Sequence, residues 1–349
     1  MFKRFCKRNY RLIQFLSFIV FILIISENLF ESYIVEIPTW VRTDKYPPFE
    51  PELHEDFQTV ATITPRIPHI LHQYNTNLNI PISYVTNIKS FLFYNPSWKY
   101  SFWTEETSRQ LIADRHPSLI PTWDAYANFE IRSSIIRYVL LYEFGGAFSD
   151  MKVKCLRSLK RITYKYACVL PARSFELVSV KEKRPYVLSD NVIFCRSKHP
   201  FLKQIIDNIP LYQPMIDIND AIGAHFLTGQ YMIYNNLQSY YNLVYKDDQF
   251  SCNSPFIYRG ELPDTHMNAV FVSNSKYFPT NVYSVYPLCQ DFFDLSFLQK
   301  RGCIELNKRR ENSIFAFTYD SYKLRRFEKI INYFVKIKIT HIVNVDFSQ

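Results

Sequence analysis

Hydrophobic residues between positions 131 and 142 recur every three or four residues, which predicts an α-helix with one apolar face. The residues on this face are Ile131, Ile135, Tyr138, Val139 and Tyr142. Gly145 and Gly146 follow, although the whole chain has only 6 Gly, and a short apolar run then ends at Asp150. This order predicts a helix, a glycine C-cap and a buried strand that carries a carboxylate at its carboxyl end. Ligands bind at that end of the strands in open α/β sheets.

Other patterns along the chain predict an alternation of strands and helices. Residues 66–73 and 99–103 have the pattern of short buried strands, and residues 85–93 have that of a helix. Thr104 is an N-cap-like residue before a further helix. Later segments are predicted at 191–195 (strand) and 200–209 (helix). Such an alternation implies βαβ units, a largely parallel sheet and the α/β class.

The N-terminal residues combine a basic flank with an apolar run. Residues 1–11 hold several basic residues and no acidic one, and Gln14 is the only strongly polar residue of 12–26. No small-x-small cleavage site follows. We therefore predict a cytosolic tail (1–11), a signal-anchor transmembrane helix (12–30) and a lumenal remainder, following the positive-inside rule. A cleaved signal, which would give a secreted protein, is the alternative.

The rest of the chain divides into three predicted segments. Residues 31–65 are rich in proline, lack a long periodicity and are predicted to form a stem. Residues 66–323 contain the strand and helix patterns and are predicted to be the globular domain. Residues 324–349 form a basic amphipathic C-terminal segment, for which two interpretations stay open. It either contacts lipid headgroups or is a terminal helix packed on the domain.

Charge and cysteine content narrow the classes of partner and compartment. The formal net charge of +9 is compatible with nucleic acid, an anionic membrane or a phosphorylated ligand. No zinc-finger spacing or RNP-like motif supports nucleic acid, so no nucleic-acid partner is expected.

Isolated His72 and His199 are predicted to be packing or hydrogen-bonded residues. An even number of cysteines in an oxidising compartment predicts disulfides, and the pairing stays open. The six cysteines after the predicted anchor are Cys155, Cys168, Cys195, Cys252, Cys289 and Cys303.

Four segments of the chain occur in the order of a known family. They are residues 67–73, 95–106, 132–150 and 155–159. Together they resemble glycosyltransferase family 32, which includes fungal Golgi mannosyltransferases and inositol-phosphoceramide mannosyltransferases; the related α1,4-galactosyltransferases share the same core. The resemblance is dense over 66–160 and thinner afterwards. It implies a GT-A-like nucleotide-diphosphosugar transferase domain.

The resemblance also implies a donor site around Asp150, from which this chain departs in part. In the family an Asp-x-Asp motif holds the donor ribose and a divalent cation on the pyrophosphate. The implied cofactor is therefore Mn²⁺ or Mg²⁺, and Asp150 is the implied metal ligand. The second motif position here is Lys152. Ser134 stands where the family has an aspartate three residues before Arg137, and residues 315–322 lack the family's histidine.

These departures leave two hypotheses for the site. In the first, Asp150 and Lys152 are catalytic, and the ammonium of Lys152 replaces the cation at the pyrophosphate. In the second, the site is catalytically silent. A purely structural alternative pairs Asp150 with Lys152 or Lys154 and leaves Arg137 as a helix-surface residue. The residues implied to bind the donor are Ser134, Arg137, Gly146, Asp150, Asn191, Thr228 and Gly229.

The expected function is that of a type II membrane glycosyltransferase of the Golgi or ER. Its expected reaction moves a hexose, with mannose as one candidate, from a nucleotide-diphosphosugar to a hydroxyl of a glycan or glycolipid. The alternative is a silent, membrane-anchored protein that binds a sugar or nucleotide-sugar, or that supports a partner glycosyltransferase. The sequence does not specify the donor sugar.

Overall fold

The computed structural model describes the central domain and a few segments around it. The described residues are 14–22, 64–172, 188–212, 229–241, 266–273, 277–278, 315–318 and 336–341. The predicted cytosolic tail, nearly all of the stem and most of the C-terminal segment lie outside them.

A six-stranded sheet with the order β3-β1-β4-β7-β6-β8 forms the centre of the domain. The strands of the described chain are β1 (Ile70–Tyr74), β2 (Asn79–Pro81), β3 (Lys99–Trp103), β4 (Gly146–Ser149), β5 (Val153–Cys155), β6 (Cys168–Pro171), β7 (Val192–Cys195), β8 (Phe271–Ser273), β9 (Ala316–Thr318) and β10 (Lys336–Lys338). Strand β1 is parallel to β3 and β4, and β6 is parallel to β8. Strand β7 runs antiparallel to both of its neighbours. The predicted α/β class and largely parallel sheet are confirmed, with β7 as a reversed strand.

Helices cover both faces of this sheet. They are α1 (Val85–Tyr94), α2 (Glu105–Arg115), α3 (Ile120–Ala125), α4 (Phe129–Phe144), α5 (Lys160–Lys165), α6 (Pro200–Tyr212) and α7 (Gln230–Tyr240). Alternate residues of each strand enter two separate hydrophobic clusters: in β7, Ile193 belongs to one and Phe194 to the other. Helices α4, α6 and α7 pack in the first cluster, and α1 packs in the second. The domain therefore has three layers, with α1 and α6 on opposite faces of the sheet.

Helix α4 is joined to β4 by the glycine pair. Asn128 caps the helix by accepting a hydrogen bond from Glu130 N at 2.8 Å, and Gly145 N closes it on Leu141 O at 3.0 Å. Gly145 and Gly146 have φ angles of 67° and 104°, which L side chains rarely adopt. A Cβ on Gly146 would overlap the backbone oxygen of Ile70 in β1. The predicted order of helix, glycine C-cap and strand is confirmed.

Cysteines link two neighbouring strands that run in opposite directions. Cys168 in β6 and Cys195 in β7 are paired in register and form a disulfide. Cys155 in β5 is a buried free thiol. The predicted presence of a disulfide is confirmed for this pair, and the remaining cysteines lie outside the described residues.

The two ends of the chain are described only in short pieces. Residues 14–22 are helical, with exposed apolar side chains. Among the residues that the structure describes, no helix combines the length and hydropathy needed to cross a bilayer, so the anchor over 12–30 stays a prediction. At the other end, residues 336–338 form β10, which pairs with β2. The prediction of a terminal helix is wrong for these residues, because the backbone of β2 offers a partner for an extended segment.

His72 connects three parts of the domain from a fully buried position. Its Nε2 lies 2.9 Å from Gly145 O, and its Nδ1 accepts a hydrogen bond from Trp103 Nε1 at 3.2 Å. Both contacts suit the neutral ring with the proton on Nε2. Burial lowers the pKa of His72 to about 4, and burial lowers that of His199 to about 3. The prediction of hydrogen-bonded packing residues is confirmed for both histidines.

Replacing the glycine at the β1–β4 contact tests the packing of the glycine pair. We expect Gly146→Ala to lower the free energy of unfolding by roughly 3 kcal/mol, because the new Cβ meets a backbone atom and the φ angle becomes strained. Thermal or urea unfolding followed by circular dichroism measures the change. Thr86→Ala, at an exposed position of α1, is the control with little effect. An unfolding midpoint equal to that of the wild type would contradict the analysis.

The low pKa of His72 predicts a pH-dependent stability. The folded-state value of about 4 lies below the ordinary 6.5, so the unfolded chain takes up the proton first as the pH falls. Stability is therefore complete above pH 6.5 and decreases down to about pH 4. Between pH 7 and pH 5 we expect His72→Gln to lose about 2 kcal/mol less than the wild type. Urea unfolding at both pH values measures this, and equal losses would refute the assignment.

Candidate active site

A cavity of about 370 Å³ opens at the carboxyl ends of β1 and β4. Its lining residues are Tyr74, Asn75, Thr76, Pro81, Tyr84, Phe129, Glu130, Ser133, Phe148, Asp150, Met151 and Lys152. One wall is aromatic, since the rings of Tyr74 and Phe129 stack with centroids 5.4 Å apart. The charged residues of the lining are Glu130, Asp150 and Lys152. The cavity thus combines a surface for a planar ring with groups that bind ions, and its volume is in the range of ligand sites.

Asp150 is held in place by the turn that follows β4. Its backbone N donates to Asn191 O at 2.8 Å, and its carbonyl oxygen accepts from Val153 N at 3.0 Å. Its carboxylate Oδ1 accepts a hydrogen bond from Lys152 N at 2.8 Å. These three bonds fix the carboxylate at the cavity wall and determine where the next side chains point. Asp150 therefore lines the cavity, with its carboxylate bonded to the backbone of Lys152.

Lys152 and Glu130 carry opposite charges within this cavity. The Nζ of Lys152 lies 3.9 Å from Oε1 of Glu130, which is on the first turn of α4. Both side chains are partly exposed, at 24% and 38%. Solvent screens such a pair, so its contribution to stability is small. The pair with Glu130 therefore holds the ammonium group only weakly.

Arg137 lies beneath the cavity, paired with Asp190. The two side chains are 2% and 1% exposed, and Nη1 donates to Oδ2 at 2.9 Å. The guanidinium lies over the ring of Phe148, 4.9 Å from its centroid. Burial lowers the pKa of Arg137, but the charges of Asp190 and Asp150 and the hydrogen bond to Asp190 outweigh it, so the net shift is upward. The alternative of a surface arginine is wrong, because Arg137 is a buried cation that lies against the ring of Phe148.

The structure separates the other residues that the sequence assigned to the donor. Ser134 is buried, and its Oγ donates to Glu130 O inside α4 at 3.0 Å. Gly146 begins β4, at the opposite end of the strand from Asp150. Asn191 contacts Asp150 through its backbone oxygen. Gly229 O accepts from Tyr138 Oη at 3.3 Å behind the cavity. Thr228 lies outside the described residues.

Several residues of the site were not found by sequence reasoning. Tyr74 and Asn75 stand at the carboxyl end of β1, and the rule that located Asp150 also applies to this neighbouring strand. Glu130 reaches the cavity because α4 begins beside it. Asp190 precedes β7, and its position depends on the reversed direction of that strand. The sequence pattern gives no sign of that reversal.

The described residues at this cavity do not fit a divalent cation. Such an ion requires several oxygen ligands, and Lys152 brings an ammonium group to the position next to Asp150. Within the described ranges, the possible ligand atoms that lie close together are those of Cys168, Cys195 and His199. The disulfide between the two cysteines removes both thiolates from that group.

Comparison with known proteins gives one family for this region. Residues 81–169 match the family model described as the glycosyltransferase sugar-binding region containing DXD motif. The resemblance to glycosyltransferase family 32 is therefore confirmed. Members of this family typically depend on a divalent cation.

Relatives with curated names are transferases. The chain is 30% identical to inositol phosphoceramide mannosyltransferase 3 of Schizosaccharomyces pombe, over 46% of this chain and 44% of that protein. It is 26% identical to a mannosyl phosphorylinositol ceramide synthase of Saccharomyces cerevisiae, over 50% and 45%. It is 23% identical to an uncharacterized glycosyltransferase of Acanthamoeba polyphaga mimivirus, over 66% and 90%. The similarity thus spans less than half the length of the two yeast relatives.

Two solved structures show weak similarity to this chain. The PaToxG glycosyltransferase matches at 13% identity and a TM-score of 0.34, over 62% of this chain and 79% of that chain. An active-site mutant of LgtC matches at 13% identity and a TM-score of 0.31, over 76% and 94%.

Breaking the buried ion pair tests the role of Asp190. We expect Asp190→Ala to lower the free energy of unfolding by roughly 3–5 kcal/mol, because it leaves the guanidinium of Arg137 buried without a counter-charge. Replacing both partners, as in Arg137→Met with Asp190→Ala, is expected to recover part of that loss. Chemical denaturation of the three variants measures the coupling.

The matched control for this test is Asp124→Ala. Asp124 accepts a bidentate hydrogen bond from Arg109, but both side chains are about half exposed. We expect this variant to unfold close to the wild type. If Asp190→Ala and Asp124→Ala lowered the free energy of unfolding equally, the buried pair would contribute no more to stability than the exposed one.

Proposed function

We propose that this domain is a glycosyltransferase that moves a hexosyl group from a nucleotide-diphosphosugar to a hydroxyl of a glycan or glycolipid. The observation that carries this proposal is the cavity at the carboxyl ends of β1 and β4, which holds Asp150 and Lys152 beside an aromatic wall. The family match over residues 81–169 and the names of the relatives support it.

The two parts of the cavity suit the two parts of such a donor. The stacked rings of Tyr74 and Phe129 offer an apolar surface to the planar base of the nucleotide. Lys152 offers an ammonium group to the diphosphate. Asp150 lines the same cavity and can accept hydrogen bonds from sugar hydroxyls, since its carboxylate is fixed by the turn.

Lys152 supplies the charge that the transfer reaction requires. During transfer, the oxygen of the acceptor bonds to the anomeric carbon, and the bond from that carbon to the diphosphate breaks. The electron pair stays on the departing nucleoside diphosphate, and the acceptor proton is released. A cation fixed beside the diphosphate stabilises this developing negative charge. We therefore propose that Lys152 acts where other family members use a divalent ion.

Arg137 is proposed to act beneath the site without contacting the donor. Its guanidinium is held by Asp190 and covered by Phe148, which itself lines the cavity. Asp190 thus positions Arg137, and Arg137 supports the ring of Phe148 in the cavity wall.

The fold and the disulfide support a secretory location. The order of the six strands, with β7 reversed, is compatible with the GT-A-like domain that the resemblance implies. The disulfide between Cys168 and Cys195 suits an oxidising compartment. We propose a Golgi or ER membrane protein with a single N-terminal anchor and a lumenal domain. Because the relatives are named for mannose, a mannosyl donor is the first to test.

A catalytically silent protein is the second candidate. The ion pair of Lys152 with Glu130 favours this alternative, because it occupies the position that a cation takes in active members. In that case the cavity binds a sugar-nucleotide or glycan, or the domain supports a partner glycosyltransferase.

Substitution of Lys152 separates these functions. We expect donor turnover by the wild type to continue in EDTA, and Lys152→Ala to lower kcat about 10²- to 10³-fold, because a preorganised charge is lost. Lys152→Asp restores the Asp-x-Asp motif and is expected to make turnover depend on Mn²⁺ or Mg²⁺. Release of nucleoside diphosphate from a panel of donors is the measurement.

Lys154→Ala is the matched control, since Lys154 lies two residues further along, in β5, and does not line the cavity. It is expected to keep full activity. Complete loss of wild-type turnover in EDTA would contradict the role of Lys152. Donor binding without turnover of any donor would favour the silent protein.

A further inference from the structure

Helix α1 has an outer face with unusually exposed hydrophobic side chains. Phe93 is 77% exposed, and Tyr94 and Ile82 are 38% and 37% exposed. Apart from residues 14–22, the described chain has only two other large hydrophobic residues at this level of exposure, Leu211 and Met267. Three of these five exposed side chains of the described domain therefore lie on this helix and the turn before it.

These positions form a single strip along the helix. Ile82, Thr86, Lys89 and Phe93 are spaced by four, three and four residues, so their side chains share one face, and all are exposed. The opposite face of α1 packs in the second hydrophobic cluster through Ile88 and Phe91. The strip is about 16 Å long, from the rise of 1.5 Å per residue.

Lysines accompany the strip, and no acid accompanies it. Lys89 lies within it, and Lys336 and Lys338 are exposed on β10, which pairs with β2 just before Ile82. Residues 79–95 and 336–341 contain no aspartate or glutamate. Within these two ranges, the surface thus combines aromatic and aliphatic side chains with lysines and no acidic side chain.

This surface begins at the rim of the cavity. Pro81 and Tyr84 line the cavity, and Ile82 lies between them in the chain. In the β10–β2 register, Lys336 stands opposite Pro81. A partner bound along the strip would therefore lie next to the cavity mouth.

We propose that the outer face of α1, together with Lys336 and Lys338, binds the surface of an anionic lipid bilayer. The aromatic and aliphatic tips enter the interface, and the lysines meet the anionic headgroups. This orientation brings the cavity rim to the membrane. If the proposed transferase function holds, it presents the site to an acceptor hydroxyl on a lipid headgroup; that consequence alone rests on the proposed function.

The size and shape of the surface favour a bilayer over a protein partner. A stable protein interface buries about 800 Å² on each side. The exposed hydrophobic side chains here are Ile82, Phe93 and Tyr94, and together they offer roughly a few hundred Å². A bilayer needs no complementary shape. It binds aromatic side chains at the lipid–water interface and lysines at the anionic headgroups. A second copy of this chain carries the same positive charge at this surface and would repel it.

Residue-by-residue amine labelling of the full chain tests the proposal without any sugar donor. The protein is incubated with phosphatidylcholine vesicles with or without phosphatidylserine, and labelled lysines are quantified by mass spectrometry. We expect labelling of Lys89, Lys336 and Lys338 to fall roughly fivefold on the anionic vesicles only, from the attraction of each lysine to the surface. Lys203, on α6 across the sheet, is the internal control and keeps its labelling.

A pair of variants removes one apolar tip from each face of the domain. We expect Phe93→Ser to reduce the protection of Lys89, and Leu211→Ser on α6 to leave it unchanged. Binding through the basic N-terminal residues would also favour anionic vesicles, but it would protect Lys89 and Lys203 alike and would not depend on Phe93. Equal labelling on both vesicles would overturn the proposal. Protection that grows with protein concentration without vesicles would also overturn it, in favour of self-association.

Discussion

The close approach of β4 to β1 at Gly146 is the constraint on which the site depends. Only a residue without a Cβ fits against the backbone oxygen of Ile70 at this φ angle. Because the two strands then run side by side in parallel, Tyr74 and Asp150 reach the same edge of the sheet. The aromatic wall and the carboxylate of the cavity therefore come together through a contact at the far end of the strands.

Charge is arranged around this edge in two layers. In the buried layer, Arg137 and Asp190 neutralise each other, and they cannot rearrange without losing a charge partner. In the exposed layer, Lys152 and Glu130 are screened by solvent and can change partners. The buried pair holds Arg137 in one position beneath the ring of Phe148. The pair of Lys152 with Glu130 is weakened by solvent and holds the ammonium group less firmly.

The sequence predicted the parts of the fold that local patterns encode. Helix α4, the glycine pair and strand β4 could be predicted because periodicity and glycine conformation are local properties. The reversal of β7 and the pairing of β10 with β2 could not, because they depend on contacts between distant segments. Asp190 was missed for the same reason. Gly146 was assigned to the donor by the family resemblance, although the length of β4 separates it from Asp150.

The charge balance of the site gives a physical reason why a lysine can replace a metal ligand here. In an Asp-x-Asp site, two carboxylates and one divalent cation sum to zero before the diphosphate binds. In this chain, Asp150 and Lys152 also sum to zero, and the carboxylate of Glu130 completes the charged lining of the cavity. A divalent ion added beside Lys152 would be repelled by its ammonium group. The lysine at position 152 thus stands where a second metal ligand would be and supplies a cation in its place, so under the proposed function the diphosphate meets a positive group in either kind of site.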